Sequence, residues 1–209
     1  MVRRKTNPLQ NSLNNFIAAI KSSYSLTILI LAIVSFLLQY IIPGYSYYLA
    51  LSPYDIFSRP WTLVTHIFLH SGPIHLLFNM MFLFFLGPEL ERRIGGKKFL
   101  IVFFISGIIA AIGYSLWSVF ILKEHSTAVG ASGALFGIFA CLAVIAPDIV
   151  IYVYFIPMKI TYALIFFALL DLLFIGSSGD LVARSAHLSG VVAGLAFGKY
   201  LKKTGRYLR

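Results

Sequence analysis

The chain has 209 residues, 59% of them hydrophobic and 11% charged, with a net charge of +10 and a mean hydropathy of +0.88. Soluble domains are about 45–50% apolar and about 25% charged, so this composition belongs to a membrane protein. No basic helix or aromatic-interleaved basic patch stands apart from the apolar segments, which argues against a nucleic-acid partner. The single cysteine, Cys141, excludes an intramolecular disulfide and a multi-cysteine metal site, and among Phe139, Ala140 and Leu142 it reads as a packed thiol.

Residues 1–23 form a polar, basic segment carrying Arg3, Arg4, Lys5 and Lys21. The first apolar segment, 25–42, is too long for a signal-peptide core and ends in Ile-Ile-Pro-Gly rather than a cleavage site, so it reads as a retained span. Residues 43–73 are mixed in character, and their Trp, Tyr and His content suits the membrane–water interface. A loop of this length has a function or short helices of its own. Apolar segments follow at 74–94, 98–122, 131–147, 158–176 and 184–203, and lengths of about 17–25 residues suffice to cross a hydrocarbon core of about 30 Å. The fourth is short, and is either steep or begins below the surface. The stretch 148–157, DIVIYVYFIP, reads as a connector. The expectation is an all-α integral membrane protein: one six-span domain over 24–203 with a long first loop, followed by a basic tail at 204–209.

Of the seventeen Lys and Arg residues, all but Arg59, Lys123 and Arg184 fall on the side that holds the N-terminus. That bias of fourteen to three predicts cytoplasmic termini and accounts for the net charge, helped by anionic headgroups.

In this topology the second, fourth and sixth spans run inward, and each opens with polar groups at one level. They are His75-Leu-Leu-Phe-Asn79, Gly130-Ala-Ser132-Gly133 and Ala186-His187-Leu-Ser-Gly190. A serine among glycines can bond back to its own helix or mark a close helix contact. A histidine at membrane depth is costly, and such residues are usually functional. A serine becomes a nucleophile when a base takes its proton, and His187 is a histidine at matching depth. The Ser132 amide at a helix start, with Asn79 and His75, supplies donors for an oxyanion. Gly190, Gly194 and Gly198 follow His187 on its own face, and Gly133 and Gly137 begin beside Ser132, so close backbone contact can hold the pair together.

These motifs resemble those of the rhomboid family of intramembrane serine proteases, over essentially the whole chain. Gly130-Ala-Ser132-Gly133 resembles the family's GxSG motif, and Ala186-His187-Leu-Ser-Gly190 with Gly194 its AHxxGxxxG motif. His75 and Asn79 match the HxxxN pair assigned in the family to the oxyanion hole, with Gly130 counted beside them. Glu91-Arg-Arg93-Ile-Gly95 is similar to the ExRxG element, and Arg59-Pro-Trp61 to the first-loop signature in a variant order. The resemblance implies a six-helix bundle that hydrolyses peptide bonds in or near transmembrane segments of single-pass or other membrane proteins. It implies a Ser132–His187 dyad without cofactor or metal, in the cell membrane of a prokaryote. Phe136 stands where the family often has tyrosine, able to stack on the histidine without a hydrogen bond. The alternatives are an inactive rhomboid-like binder, which would normally lack the serine or histidine, and a small transporter, which would show paired charges or inverted repeats.

Three carboxylates lie near spans or outer loops. Asp171 alone is within a span, and it reads as a structural pairing group or one solvated at the outer end of its span; Glu124 and Asp180 are the others. His66, His70 and His75 lack the cysteine or carboxylate companions of a zinc site, so His66 and His70 read as loop packing. His125 reads as solvated, and the Phe-rich stretch from Met80 to Phe85 as lipid-facing.

Overall fold

The computed structural model describes residues 23–175 and 183–208; Arg3, Arg4, Lys5, Lys21, Asp180 and Arg209 lie outside the described residues. The protein is mostly helical. Helix α1 spans Tyr24–Ile41, α2 Tyr45–Leu49, α3 Thr62–Thr65, α4 Pro73–Ile94, α5 Gly96–Leu116, α6 Ser132–Ile145, α7 Ile160–Phe174 and α8 Arg184–Thr204. A wider helical turn, Trp117–Leu122, extends α5. Among the described residues α1, α4 and the extended α5 are long and apolar enough to cross a membrane, while α6 and α7 are shorter apolar helices.

Local chemistry sets the helix ends. At the start of α1, the Ser23 hydroxyl accepts from the Leu26 amide (3.4 Å), and Glu91 accepts from the Tyr24 and Ser25 amides (2.8 and 3.0 Å). A carboxylate there satisfies orphan donors and suits the positive end of the helix dipole. Pro73 opens α4, where its missing N–H costs nothing. Gly95, at φ +80°, joins α4 directly to α5. Lys202 and Lys203 occupy the last turn of α8, where cations complement the dipole.

Helix α6 lies at the centre. Every residue from Gly133 to Ile145 is buried except half-buried Phe136 and Val144, which explains why α6 is apolar all round rather than striped. The fully buried Phe99, Phe103, Phe139, Leu83 and Leu90 pack in the core with it, and Cys141 is a buried free thiol as the sequence suggests.

Two sequence expectations differ from the structure. The stretch read as a connector is an antiparallel hairpin, β1 Val150–Val153 with β2 Ile156–Lys159, in register Val150 to Lys159 and Val153 to Ile156. Its two-residue turn, Tyr154-Phe155, takes positive φ at both positions (+49° and +67°), as a right-twisted hairpin requires. The stretch from Met80 to Phe85 does not all face outward. Met80 and Leu83 are buried and Phe82 packs on Phe139 (5.3 Å), whereas Met81, Phe84 and Phe85 are exposed, the alternation a helix imposes.

Candidate active site

The nucleophile candidate is positioned by the turn before it. Gly130 has φ +123°, a conformation L side chains rarely adopt. A Cβ there would also stand 2.9 Å from His75 Nε2, so the turn and the imidazole pack without room between them. Ser132 is the first residue of α6, and its amide is among those with no intrahelical partner. The segment between α1 and α4 straps this turn in place. The Gly130 amide donates to the His66 carbonyl (2.9 Å), and Leu51 and Ala128 exchange amide–carbonyl bonds (3.0 and 2.9 Å). His66 and His70 are buried in that strap; the His66 ring nitrogen Nδ1 bonds the Thr62 carbonyl at 2.8 Å. Burial pushes His66 down to about 4, against the opposing effect of that carbonyl. Arg59 and Trp61 anchor the strap together, donating to the consecutive carbonyls of Tyr47 and Tyr48 (2.9 Å each), while Arg59 also pairs with Asp55.

His187, on the first turn of α8, places Nε2 2.8 Å from Ser132 Oγ. Its ring stacks on Phe136, with centroids 4.3 Å apart and planes 13° from parallel. The glycines bring α6 and α8 to backbone contact. A Cβ on Gly190 would fall inside the van der Waals shell of the Gly133 carbonyl oxygen, and one on Gly194 inside that of Gly137. A Cβ on Gly198 would stand 3.0 Å from the Cys141 carbonyl oxygen. On the other side, Gly133 and Gly137 face Ala110 and Ser106 of α5.

From α4, His75 accepts at Nδ1 from the Ser71 amide (3.3 Å), with Ser71 Oγ 3.0 Å away. That bond places the ring proton of a neutral His75 on Nε2, the nitrogen beside Gly130. Asn79 is buried and its Nδ2 donates to the His75 carbonyl (2.8 Å). A small pocket beside Ser132 is walled by Leu51, Ala110, Tyr114, Ala128 and Ala186. A larger depression at the other end of α6, between Ile145 and Lys202, holds no nucleophile–base pair.

The sequence could not place Asp171 relative to the imidazole. Asp171, buried on α7, has Oδ2 3.0 Å from His187 Nδ1 and Oδ1 3.6 Å from Arg184 Nη1. Sixteen positions separate it from the histidine, and no helical periodicity links the two. The available signal was a lone ionisable group in an apolar segment. His125 is exposed and stacks on Tyr54 at 4.0 Å.

A family model of the Rhomboid domain matches residues 58–204. Among curated proteins the chain is similar to YdcA of Bacillus subtilis (strain 168), 47% identical over 79 residues that cover 38% of each chain. It is 33% identical to Rhomboid-like protease 3 of Toxoplasma gondii over 143 residues, 68% of this chain and 52% of the relative. With Rhomboid protease GlpG of Yersinia pestis (strain Pestoides F) it shares 40% over 58 residues, 28% of this chain and 21% of the relative. The chain thus spans from about a fifth to about half of these relatives' lengths.

Proposed function

The chain belongs to the rhomboid family, and on that premise we propose that it is a serine endopeptidase cutting other membrane proteins in or near their transmembrane segments. It is an integral membrane protein; in this reading it crosses six times, with α1, α4, α5, α6, α7 and α8 as the spans. The fourteen-to-three charge bias supports cytoplasmic termini in a prokaryotic cell membrane. With 14 residues, α6 is about 21 Å long against a hydrocarbon core of about 30 Å, which supports a serine set below the outer surface. Water must reach it, so the polar groups around Ser132 line a hydrated depression walled from lipid.

The observation that carries the reading is the 2.8 Å approach of His187 Nε2 to Ser132 Oγ at a helix N-terminus. Ser132 Oγ attacks the scissile carbonyl carbon; as the O–C bond forms, the hydroxyl proton passes to Nε2 and the carbonyl pair moves onto oxygen. The Ser132 amide and His75 Nε2–H are the donors that meet that oxyanion. Asn79 acts one step back, holding the His75 carbonyl. Collapse of the intermediate breaks the C–N bond, and the Nε2 proton leaves with the amine. A water, deprotonated by the same nitrogen, then releases the acyl group and restores Ser132.

Ser132→Ala and His187→Ala, made singly and together, test this on a model transmembrane substrate in proteoliposomes. Each abolishes cleavage, the double variant loses no more than either single one, and a fluorophosphonate labels the wild type but not Ser132→Ala. A folded wild type that neither cleaves nor labels would instead be an inactive binder.

A further inference from the structure

Ser132 and His187 leave one side of the imidazole unassigned, and the structure fills it with a carboxylate. Asp171 Oδ2 lies 3.0 Å from His187 Nδ1, on the opposite edge of the ring from Ser132, and both side chains are buried. We propose that Asp171 is a positioning residue for His187, so that this protein works with a Ser132–His187–Asp171 triad rather than a dyad. The proposal rests on the Ser132–His187 reading and deepens it.

Asp171 acts on the tautomer and the charge of the ring. A carboxylate only accepts, so its bond to Nδ1 requires the ring proton there and leaves Nε2 bare, in the state that can take the serine proton. Without that bond, either ring nitrogen can carry the proton, and the Nε2–H form cannot act as a base. When the serine proton arrives, the ring becomes an imidazolium, and Asp171 faces the new charge across a buried contact. The proton stays on the imidazole throughout; Asp171 changes no bond. Phe136 fixes the plane of the ring by stacking, but it does not choose between the two nitrogens. Choosing between them falls to Asp171.

A merely structural alternative exists on the same residue, the ion pair with Arg184 Nη1 at 3.6 Å. The two roles separate because they use different oxygens, Oδ2 for His187 and Oδ1 for Arg184. Among the described residues, the charged groups of this cluster are Asp171 from α7, bonded to His187, and Arg184, one turn earlier on α8, on the other oxygen of Asp171. Of these only Asp171 is an anion. Its removal takes the acceptor from Nδ1–H and leaves the ring free to carry its proton on either nitrogen.

The experiment compares wild type, Asp171→Asn and Asp171→Glu in proteoliposomes, with sites counted by fluorophosphonate and kcat and KM measured from pH 5 to 9. Asp171→Asn is expected to lose at least about tenfold in kcat per counted site with KM within about twofold. In soluble triads the same change costs about 10⁴, and here Phe136 retains part of the ring's orientation. Asp171→Glu keeps an accepting carboxylate and returns kcat towards wild type. Unchanged kcat in Asp171→Asn would overturn the triad and leave Asp171 as Arg184's partner. Should Asp171→Asn not fold, ¹⁵N-histidine NMR of the wild type decides. In its neutral form His187 must show a protonated Nδ1 and a bare Nε2, and the reverse tautomer overturns the proposal. Ser132→Ala and His187→Ala keep the two readings apart. If either cleaves like wild type, the parent reading fails; if both are dead while Asp171→Asn matches wild type, only the triad fails.

Discussion

Substituting alanine for the glycines of α8, one at a time, measures how far the catalytic distance depends on helix contact. A Cβ on Gly194 would stand 2.8 Å from the Gly137 carbonyl carbon and 2.9 Å from Ala140 Cβ; one on Gly190 would stand 3.0 Å from the Gly133 carbonyl carbon. Carbon atoms rest about 3.5–4.0 Å apart, so either wedge must open the interface by roughly 1 Å. Overpacking of this kind costs about 1–3 kcal/mol in stability. Its effect on chemistry depends on leverage. Gly190 lies about 4.5 Å along the axis from His187, Gly194 about 10.5 Å and Gly198 about 16.5 Å, at 1.5 Å per residue. A displacement of about 1 Å at reacting atoms can cost on the order of 10² in rate. Turnover per fluorophosphonate-counted site should therefore fall about 10²-fold in Gly190→Ala, about tenfold in Gly194→Ala and little in Gly198→Ala, while all three lose thermal stability. Val192→Ala, at a position 66% exposed on the same helix, serves as the control. Three equal losses of turnover that track the melting curves would refute the leverage argument, as would wild-type turnover in Gly190→Ala.

His75→Ala should lower per-site turnover more than Asn79→Ala, which should cost about tenfold, because only His75 presents a donor beside Gly130; equal losses would put Asn79 at the oxyanion too. Phe136→Ala removes a stacked ring worth about 0.5–1.5 kcal/mol, a loss of about two- to tenfold in turnover that kinetics at the pH optimum can read. His66 is neutral in the fold down to about pH 4 but protonates near 6.5 when unfolded, so stability is full above 6.5 and is lost as the pH falls towards 4. Melting curves in detergent should record about 2 kcal/mol of loss between pH 7 and pH 5, a slope that flattens in His66→Gln. A reporter active only in the cytoplasm, fused after Arg209, should be active; a silent fusion would overturn the topology.

The nucleophile and base candidates could be read from the sequence because each sits in a local motif whose spacing survives without knowledge of the fold. The expectation that His75, Ser132 and His187 share one level rested on counting spans, and the glycines announced their contact by lying on one helical face. Asp171 could not be placed in this way. It meets His187 only because α7 and α8 pack side by side, a relation that no periodicity across the intervening segment encodes. The hairpin over 150–159 was hidden for another reason: its turn is Tyr154-Phe155, with none of the Gly, Asn or Asp residues that signal positive φ. The stretch from Met80 to Phe85 is apolar on every side, so composition could not divide its buried face from its exposed one. The variant order of Arg59 and Trp61 needed coordinates as well, since their bonds go to neighbouring carbonyls and either side chain alone could have served as the anchor.

The seam between α6 and α8 also sets a time. Ser132 is made first; Asp171 and His187 follow it from the ribosome by 39 and 55 positions. A nascent chain inserted only as far as α6 carries a serine hydroxyl with no base to take its proton. The base arrives when α8 sets its glycines against the carbonyls of Gly133 and Gly137, where a Cβ would have no room. In the proposed reading the half-built protein therefore carries a serine without its base, and hydrolysis waits for α8 to dock.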